Sequence, residues 1–383
     1  MNWKRWARSS VDHSWGDVAY RLALQFRETA KQHDKEATFP FDHFEALRKE
    51  GILSLTTSKR WGGAEADLYT FLLVQEILAY GDGATSLSLG WHNGTMLHLH
   101  ERNHWPTATF ERVSKEVVAS GALINSAATE KATGSPTRGG KPETIAEETA
   151  TGYLLSGHKT FTSLAPALTY AIVPATHKET GDVIELLVPM NADGVEIERT
   201  WETLGMRATR SDDLYLRNVR LPKEANVGIR GQDKSPQPWL LHIPACYLGI
   251  AVAARDEALE FAKSYAPNSL GHPIAQLAEI QRSFGEVETI LLNAHQLLYG
   301  AASRCLSNEE IRVTMGQELM AVKTGVVNAA VDVIDRVMRI VGAHSMRKES
   351  SLERYYRDVR AGLHNPPSDD VVYRVLGATS VRE

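Results

Sequence analysis

Thr129-Glu130-Lys131-Ala132-Thr133-Gly134-Ser135 and, further on, Leu204-Gly205-Met206-Arg207-Ala208-Thr209-Arg210-Ser211 leading to Asn218-Val219-Arg220-Leu221-Pro222 decide how this chain is read. Around and between them run short alternating segments at 144–149, 153–156, 170–173, 184–188, 195–198 and 214–216, set apart by Gly, Pro, Asn and Asp. Such runs predict an antiparallel β-domain over residues 121–235. On the N-terminal side, over 1–120, the period is helical. Phe44 and Leu47 precede a stop at Gly51, and Phe71, Val74 and Leu78 predict an amphipathic helix over 68–80 with one buried face. Gly81-Asp82-Gly83 reads as the turn that ends it, since no lysine follows to make a phosphate loop. On the C-terminal side, over 236–383, two long stripes share a three-four spacing. One holds Leu277, Ile280, Phe284, Val287, Leu291, Ala294 and Leu298; the other holds Leu319, Val322, Val326, Val333 and Ile340. Faces this broad must bury against one another, which predicts a four-helix bundle and an α+β chain in α–β–α order.

Composition sets bounds without naming a function. At 383 residues, 43% hydrophobic and 23% charged, the chain can bury a large interior shared by two or three packed units. A net charge of -5 supplies no general attraction for nucleic acid or an anionic membrane. The two cysteines, Cys246 and Cys305, sit in apolar helical settings and read as reduced core residues. No apolar run follows Lys4, Arg5 and Arg8, and the stretch 240–254 is shorter than a membrane span of ~20 residues, so a soluble, cytoplasmic protein is expected. His98, His100 and His104 lack a carboxylate or cysteine at ligand spacing, and no metal is expected there.

The two opening stretches resemble the middle domain of the acyl-CoA dehydrogenase superfamily, which reads T-E-P-x-x-G-S in the first and G-x-R-x-[ST]-x-[ST] followed by V-x-V-P in the second. Trp61-Gly62-Gly63 resembles the family's Y-G-G turn, and the α–β–α order agrees over essentially the whole chain. The resemblance implies a flavin-dependent oxidoreductase, acyl-CoA dehydrogenase-like, with FAD as cofactor and FMN as the alternative. Thr129, Gly134 and Ser135 would hold the flavin from the first loop. Phe161, Thr162 and Ser163 stand for the family's W-[IV]-[ST] strand: the ring would wall the flavin and the hydroxyls would donate to it. Ser135 also matches the serine that meets acyl-CoA. The family's R-x-x-F-G arginine is replaced by Pro267, and its Q-x-x-G-G reads Arg339-Ile340-Val341-Gly342-Ala343, so Arg339 and Gly342 are the candidates for the phosphate tail.

The family's catalytic glutamate is missing. After Arg357-Asp358-Val359-Arg360, proline stands at its place (Pro366), and Trp239 stands at the second position the family uses; Asp369 and Asp370 lie out of register. The segment resembles instead the reduced-flavin monooxygenases of the same fold, such as dibenzothiophene monooxygenase, which carry R-[ND]-V-R and then L-H-[DN]-P, matched by Leu363-His364-Asn365-Pro366. That resemblance implies catalytic roles at the flavin's reactive edge for His364, Ser163 and His92. It also implies a flavin reductase as partner where a dehydrogenase would use electron-transfer flavoprotein. A homotetramer acting on a small molecule, an acyl-CoA in the dehydrogenase case, follows from either branch. A third reading, a flavin-binding scaffold without turnover, fits the absent glutamate and arginine but not the retention of both flavin motifs.

Overall fold

The computed structural model describes residues 1–133, 140–230 and 235–382. Five helices open the chain: α1 Ser10–Glu36, α2 Phe41–Lys49, α3 Leu68–Gly81, α4 Gly83–Arg102 and α5 Thr107–Ser120. Their ends follow local chemistry. Ser9, Asp67 and Asp82 accept from Asp12 N, Thr70 N and Thr85 N at the starts of α1, α3 and α4. Gly51 (φ 74°) and Gly121 (φ 73°) take the left-handed conformation just past α2 and α5. Asp82 both ends α3 and caps α4, so the Gly-Asp-Gly segment is a helix-to-helix turn.

One expectation fails at α3. All of its residues, Leu68 to Gly81, are buried, so it is a central helix and not an amphipathic one with a single inner face. A helix that is apolar on nearly every side has no stable place at a surface.

Eight strands follow: β1 Ile124–Ser126, β2 Ile145–Thr149, β3 Gly152–Thr162, β4 Tyr170–His177, β5 Val183–Pro189, β6 Val195–Glu198, β7 Asp212–Pro222 and β8 Asn226–Ile229. They form one sheet in the order β6-β7-β3-β2-β4-β5-β8, with β1 also on β4. The sheet is not purely antiparallel: β1 and β2 both run parallel to β4, pairing at Tyr170–Ile172 and Thr176–His177 along the same edge. After the β2–β3 hairpin the chain must cross to the far side of β2 to lay down β4, and that crossover makes the pair parallel.

The bundle comprises α6 His242–Ser264, α7 Ala278–Ser307, the short α8 Glu309–Arg312, α9 Gly316–Val341, α10 Ser351–Val359 and α11 Asp369–Ser380. Two glycines bring the backbones around α3 close. A Cβ on Gly81 would stand 2.1 Å from Ala23 O of α1, and one on Gly249 would stand 2.2 Å from Glu76 O. The main core accordingly runs through both helical regions without a break, while the sheet keeps a second core around Leu155, Val173, Leu186 and Leu214. Among the described residues no helix is long and apolar enough to cross a membrane.

Candidate active site

The first motif is fixed by a buried ion pair. Glu130 Oε1 accepts from Lys159 Nζ at 2.6 Å, from Thr144 Oγ1 at 2.7 Å and from Thr144 N at 3.1 Å, and its other oxygen accepts from Glu143 N. Lys159 also donates to Pro174 O at 2.7 Å, so both charges are enclosed and bonded. Burial works against the carboxylate, but Lys159 and Thr144 outweigh it and hold Glu130 below its ordinary range. The glutamate of the loop and the lysine of β3 therefore bolt one motif to the other. Thr129 continues the join, its carbonyl accepting from Thr160 N at 2.9 Å.

The second motif bridges sheet and bundle. Gly205 lies so close to α10 that a Cβ would stand 2.3 Å from Arg357 O. Next to it, Met206 N donates to Asp358 Oδ1 at 2.6 Å, and Arg357 donates to Leu204 O while pairing with Asp34 of α1 at 2.6 Å. Arg210 pairs with buried Asp212 at 2.6 Å. Three hydroxyls then lead back to the sheet: Thr209 Oγ1 donates to Met206 O at 2.9 Å, Ser211 Oγ lies 2.9 Å from Thr209 Oγ1, and Ser163 Oγ lies 2.8 Å from Ser211 Oγ. A hydroxyl has one proton to give and lone pairs to accept with. Met206 O also accepts from Trp201 Nε1 at 2.8 Å, so the three hydroxyls can pass their protons in either direction along the row. Ser163 stands at the sheet end of that row.

Phe161 is 63% exposed and holds φ at 57°, where β3 is irregular between Lys159 and Thr162. An outward-turned aromatic ring in an unfavourable backbone conformation is maintained by the structure around it; its edge contact is Trp201, with centroids 5.8 Å apart. An exposed aromatic face beside a hydroxyl fits a flavin ring, which needs a wall and polar partners.

Two expected site residues need correction. Thr162 is fully buried, and its hydroxyl has neither accessible surface nor a hydrogen-bond partner among the described residues. His92, in α4, is also fully enclosed; Nε2 meets Leu53 O at 2.8 Å and Nδ1 accepts from Ile124 N at 3.1 Å. Both nitrogens are spent on backbone, and burial lowers its pKa to about 4. It is a neutral bolt between α4 and β1, not a group facing a ligand. His364, by contrast, is exposed at the end of the turn after α10, beside Asn365, whose side chain accepts from Tyr247 Oη at 2.6 Å. Arg339 and Gly342 are exposed at the C-terminal end of α9. Next to them opens a cleft of about 500 Å³ lined by Phe261, Val341, His344 and Arg347. Gly134 and Ser135 lie outside the described residues.

No carboxylate is offered at either usual base position. Pro366 keeps one. Trp239 keeps the other, stacked on His242 at 5.8 Å, while burial lowers the His242 pKa to about 3. Asp369 is committed to α9, accepting from Asn328 at 2.8 Å and Thr324 at 3.2 Å. Asn125 was not anticipated: its amide donates to Ser163 O at 3.2 Å and its oxygen accepts from Ser126 N, which positions Ser163.

Family profiles match in three consecutive blocks: acyl-CoA dehydrogenase, N-terminal domain, at residues 19–102; middle domain at 125–219; C-terminal domain at 241–365. A Bacillus subtilis (strain 168) protein named "Putative acyl-CoA dehydrogenase YdbM" is 44% identical over 97% of each chain. The chain belongs to the acyl-CoA dehydrogenase family. It is a flavin-dependent oxidoreductase of that superfamily, with the family's helical N- and C-terminal parts around a middle sheet. The dibenzothiophene monooxygenase of Mycolicibacterium goodii is 26% identical over 92% of this chain and 90% of its own. The fold also matches a crystal structure of TdsC from Paenibacillus sp. A11-2 with FMN and indole, at a TM-score of 0.86 and 22% identity, over 95% of this chain and 96% of that one.

Proposed function

We propose that this family member is a two-component monooxygenase that takes reduced flavin from a separate reductase. The observation that carries the reading is the presence of Pro366 and Trp239 where the family places its catalytic carboxylate. Reduced flavin bears an N–H at the ring position where oxidised flavin bears only a lone pair, and Ser163 accepts from that N–H when its own proton goes to Ser211. The flavin, when bound, supplies two electrons to dioxygen. Phe161 walls the ring, Ser163 accepts from it, and Asn125 holds the Ser163 backbone. His364 is the proposed proton-handling group at the reacting edge. FMN is the favoured flavin, since Pro267 removes the arginine that FAD-binding members use and the similar TdsC structure holds FMN. A small organic substrate and a homotetramer complete the reading.

Removal of the α-proton from an acyl thioester needs a carboxylate, and neither base position offers one. A second reading, an acyl-CoA dehydrogenase with FAD and electron-transfer flavoprotein, is favoured by the 44% identity to YdbM. Its phosphate tail would rest near Arg339 and Gly342.

Flavin titrations under anaerobic conditions separate the two. The monooxygenase reading expects reduced FMN to bind at least tenfold tighter than oxidised FMN, with Ser163→Ala erasing most of the difference. It also expects bound reduced FMN to regain its oxidised absorbance slowly when air is admitted. Bleaching of bound oxidised flavin by a saturated acyl-CoA would overturn it.

A further inference from the structure

Away from the flavin crevice, the end of α1 meets the start of α2 at His33, Asp42 and His43. We propose that these three side chains bind a divalent transition metal of the zinc class. The donor atoms of the three lie within 4.8 Å of one another. His33 Nε2 stands 3.0 Å from Asp42 Oδ1, and His43 Nε2 stands 3.9 Å from Asp42 Oδ2. Zinc–ligand bonds of about 2.0–2.2 Å place tetrahedral donors roughly 3.4 Å apart, inside that spread.

The tautomer of His43 follows from its partners. Thr85 Oγ1 donates to Asp82 Oδ2 at 2.6 Å, so it can only accept from His43 Nδ1, 2.7 Å away. The proton therefore sits on Nδ1 and the lone pair on Nε2, which stands 2.7 Å from Thr29 Oγ1 and 3.9 Å from Asp42 Oδ2. A cation placed between Nε2 and the Asp42 carboxylate would take up both lone pairs. Without a metal, the hydroxyl of Thr29 is the proton donor to Nε2.

The outer contacts complete the pattern. Ligating imidazoles are ordinarily oriented by a hydrogen bond from the far nitrogen. Here His33 Nδ1 meets Thr38 Oγ1 at 3.0 Å, and His43 Nδ1 meets Thr85 with Asp82 at 3.6 Å behind it. Phe26 stacks on the His43 ring with centroids 4.1 Å apart, fixing its plane. Two imidazoles and one carboxylate suit zinc better than calcium or magnesium, which prefer oxygen. Asp42, 56% exposed on its side chain, leaves a path for the ion and room for water at the fourth position. The ion would pin the α1–α2 corner.

Zinc titration of the untagged, chelator-stripped full chain by calorimetry tests this, with visible bands of bound Co²⁺ as a second readout. The expectation is one zinc per chain, a higher melting temperature with zinc, and at least tenfold weaker binding in both His33→Ala and Asp42→Asn. Asp42 is exposed and His33 partly buried, and circular dichroism checks that the variants fold. No binding by the wild type at micromolar zinc, or undiminished binding by both variants, overturns the proposal.

Discussion

At the scale of single residues, the motif glutamate and its lysine partner matter through one another. Removing either charge leaves the other buried and alone, at a cost of about 3–5 kcal/mol. Lys159→Met or Glu130→Gln should lower the urea midpoint accordingly and weaken flavin binding, because the 129–133 loop loses its bolt. The enclosed histidines set an acid limit. His92 and His242, with pKa values of about 4 and about 3, stay neutral in the fold while the unfolded chain protonates near 6.5. The unfolded state then binds more protons, and stability falls as pH drops below that value. At about 1.4 kcal/mol per pKa unit, His92 alone accounts for roughly 3 kcal/mol lost between pH 7 and pH 4. Asp358 works in the opposite sense, since burial raises its pKa to about 7 and its charge costs stability as pH rises; the two histidines together outweigh it. Denaturation at stepped pH should show that slope, and His92→Gln should flatten it. Much of the site was legible at this scale. Thr-Glu, Gly-x-Lys and the Phe-Thr-Ser strand stood at family spacing. The facing of Thr162 and the enclosure of His92 were not, because a motif fixes residue order while accessibility depends on what packs behind the strand.

Among the elements, the close approaches at glycine carry the most weight. Gly249→Ala forces α6 away from α3, and overpacking of this kind costs about 1–3 kcal/mol. Differential scanning calorimetry should register a lowered Tm, whereas Gly285→Ala on the same bundle, where a Cβ would meet nothing within 4 Å, should not lower it. Gly205→Ala tests the seam between sheet and bundle: its Cβ would press on the Arg357 carbonyl, and flavin affinity should fall with stability. Periodicity gave the two long stripes of α7 and α9 and six of the strands. It did not pick out β1 and β8, of three and four residues. The parallel pairing to β4 was hidden for another reason: strand order arises from contacts between segments far apart, and a local pattern carries no trace of them.

For the whole molecule, the outer faces of the bundle remain to be covered. Leu292, Leu297 and Leu306 of α7 are 38%, 43% and 38% exposed, and Tyr373 of α11 is 60% exposed. These side chains are where contact between copies would bury apolar surface. Sedimentation velocity should give a species near four times 42.4 kDa, and Leu297→Lys should shift it to smaller forms.

Burial of every residue of α3 also has a bearing on synthesis. Its faces are closed by α1, which precedes it, and by α6, which leaves the ribosome some 170 residues later by the chain's own numbering. Until then the nascent N-terminal region carries a greasy helix with one side bare, a state that invites aggregation or chaperone capture. Chains halted at residue 235 should pellet on lysis, whereas chains extended through Ser264 should show markedly more soluble product.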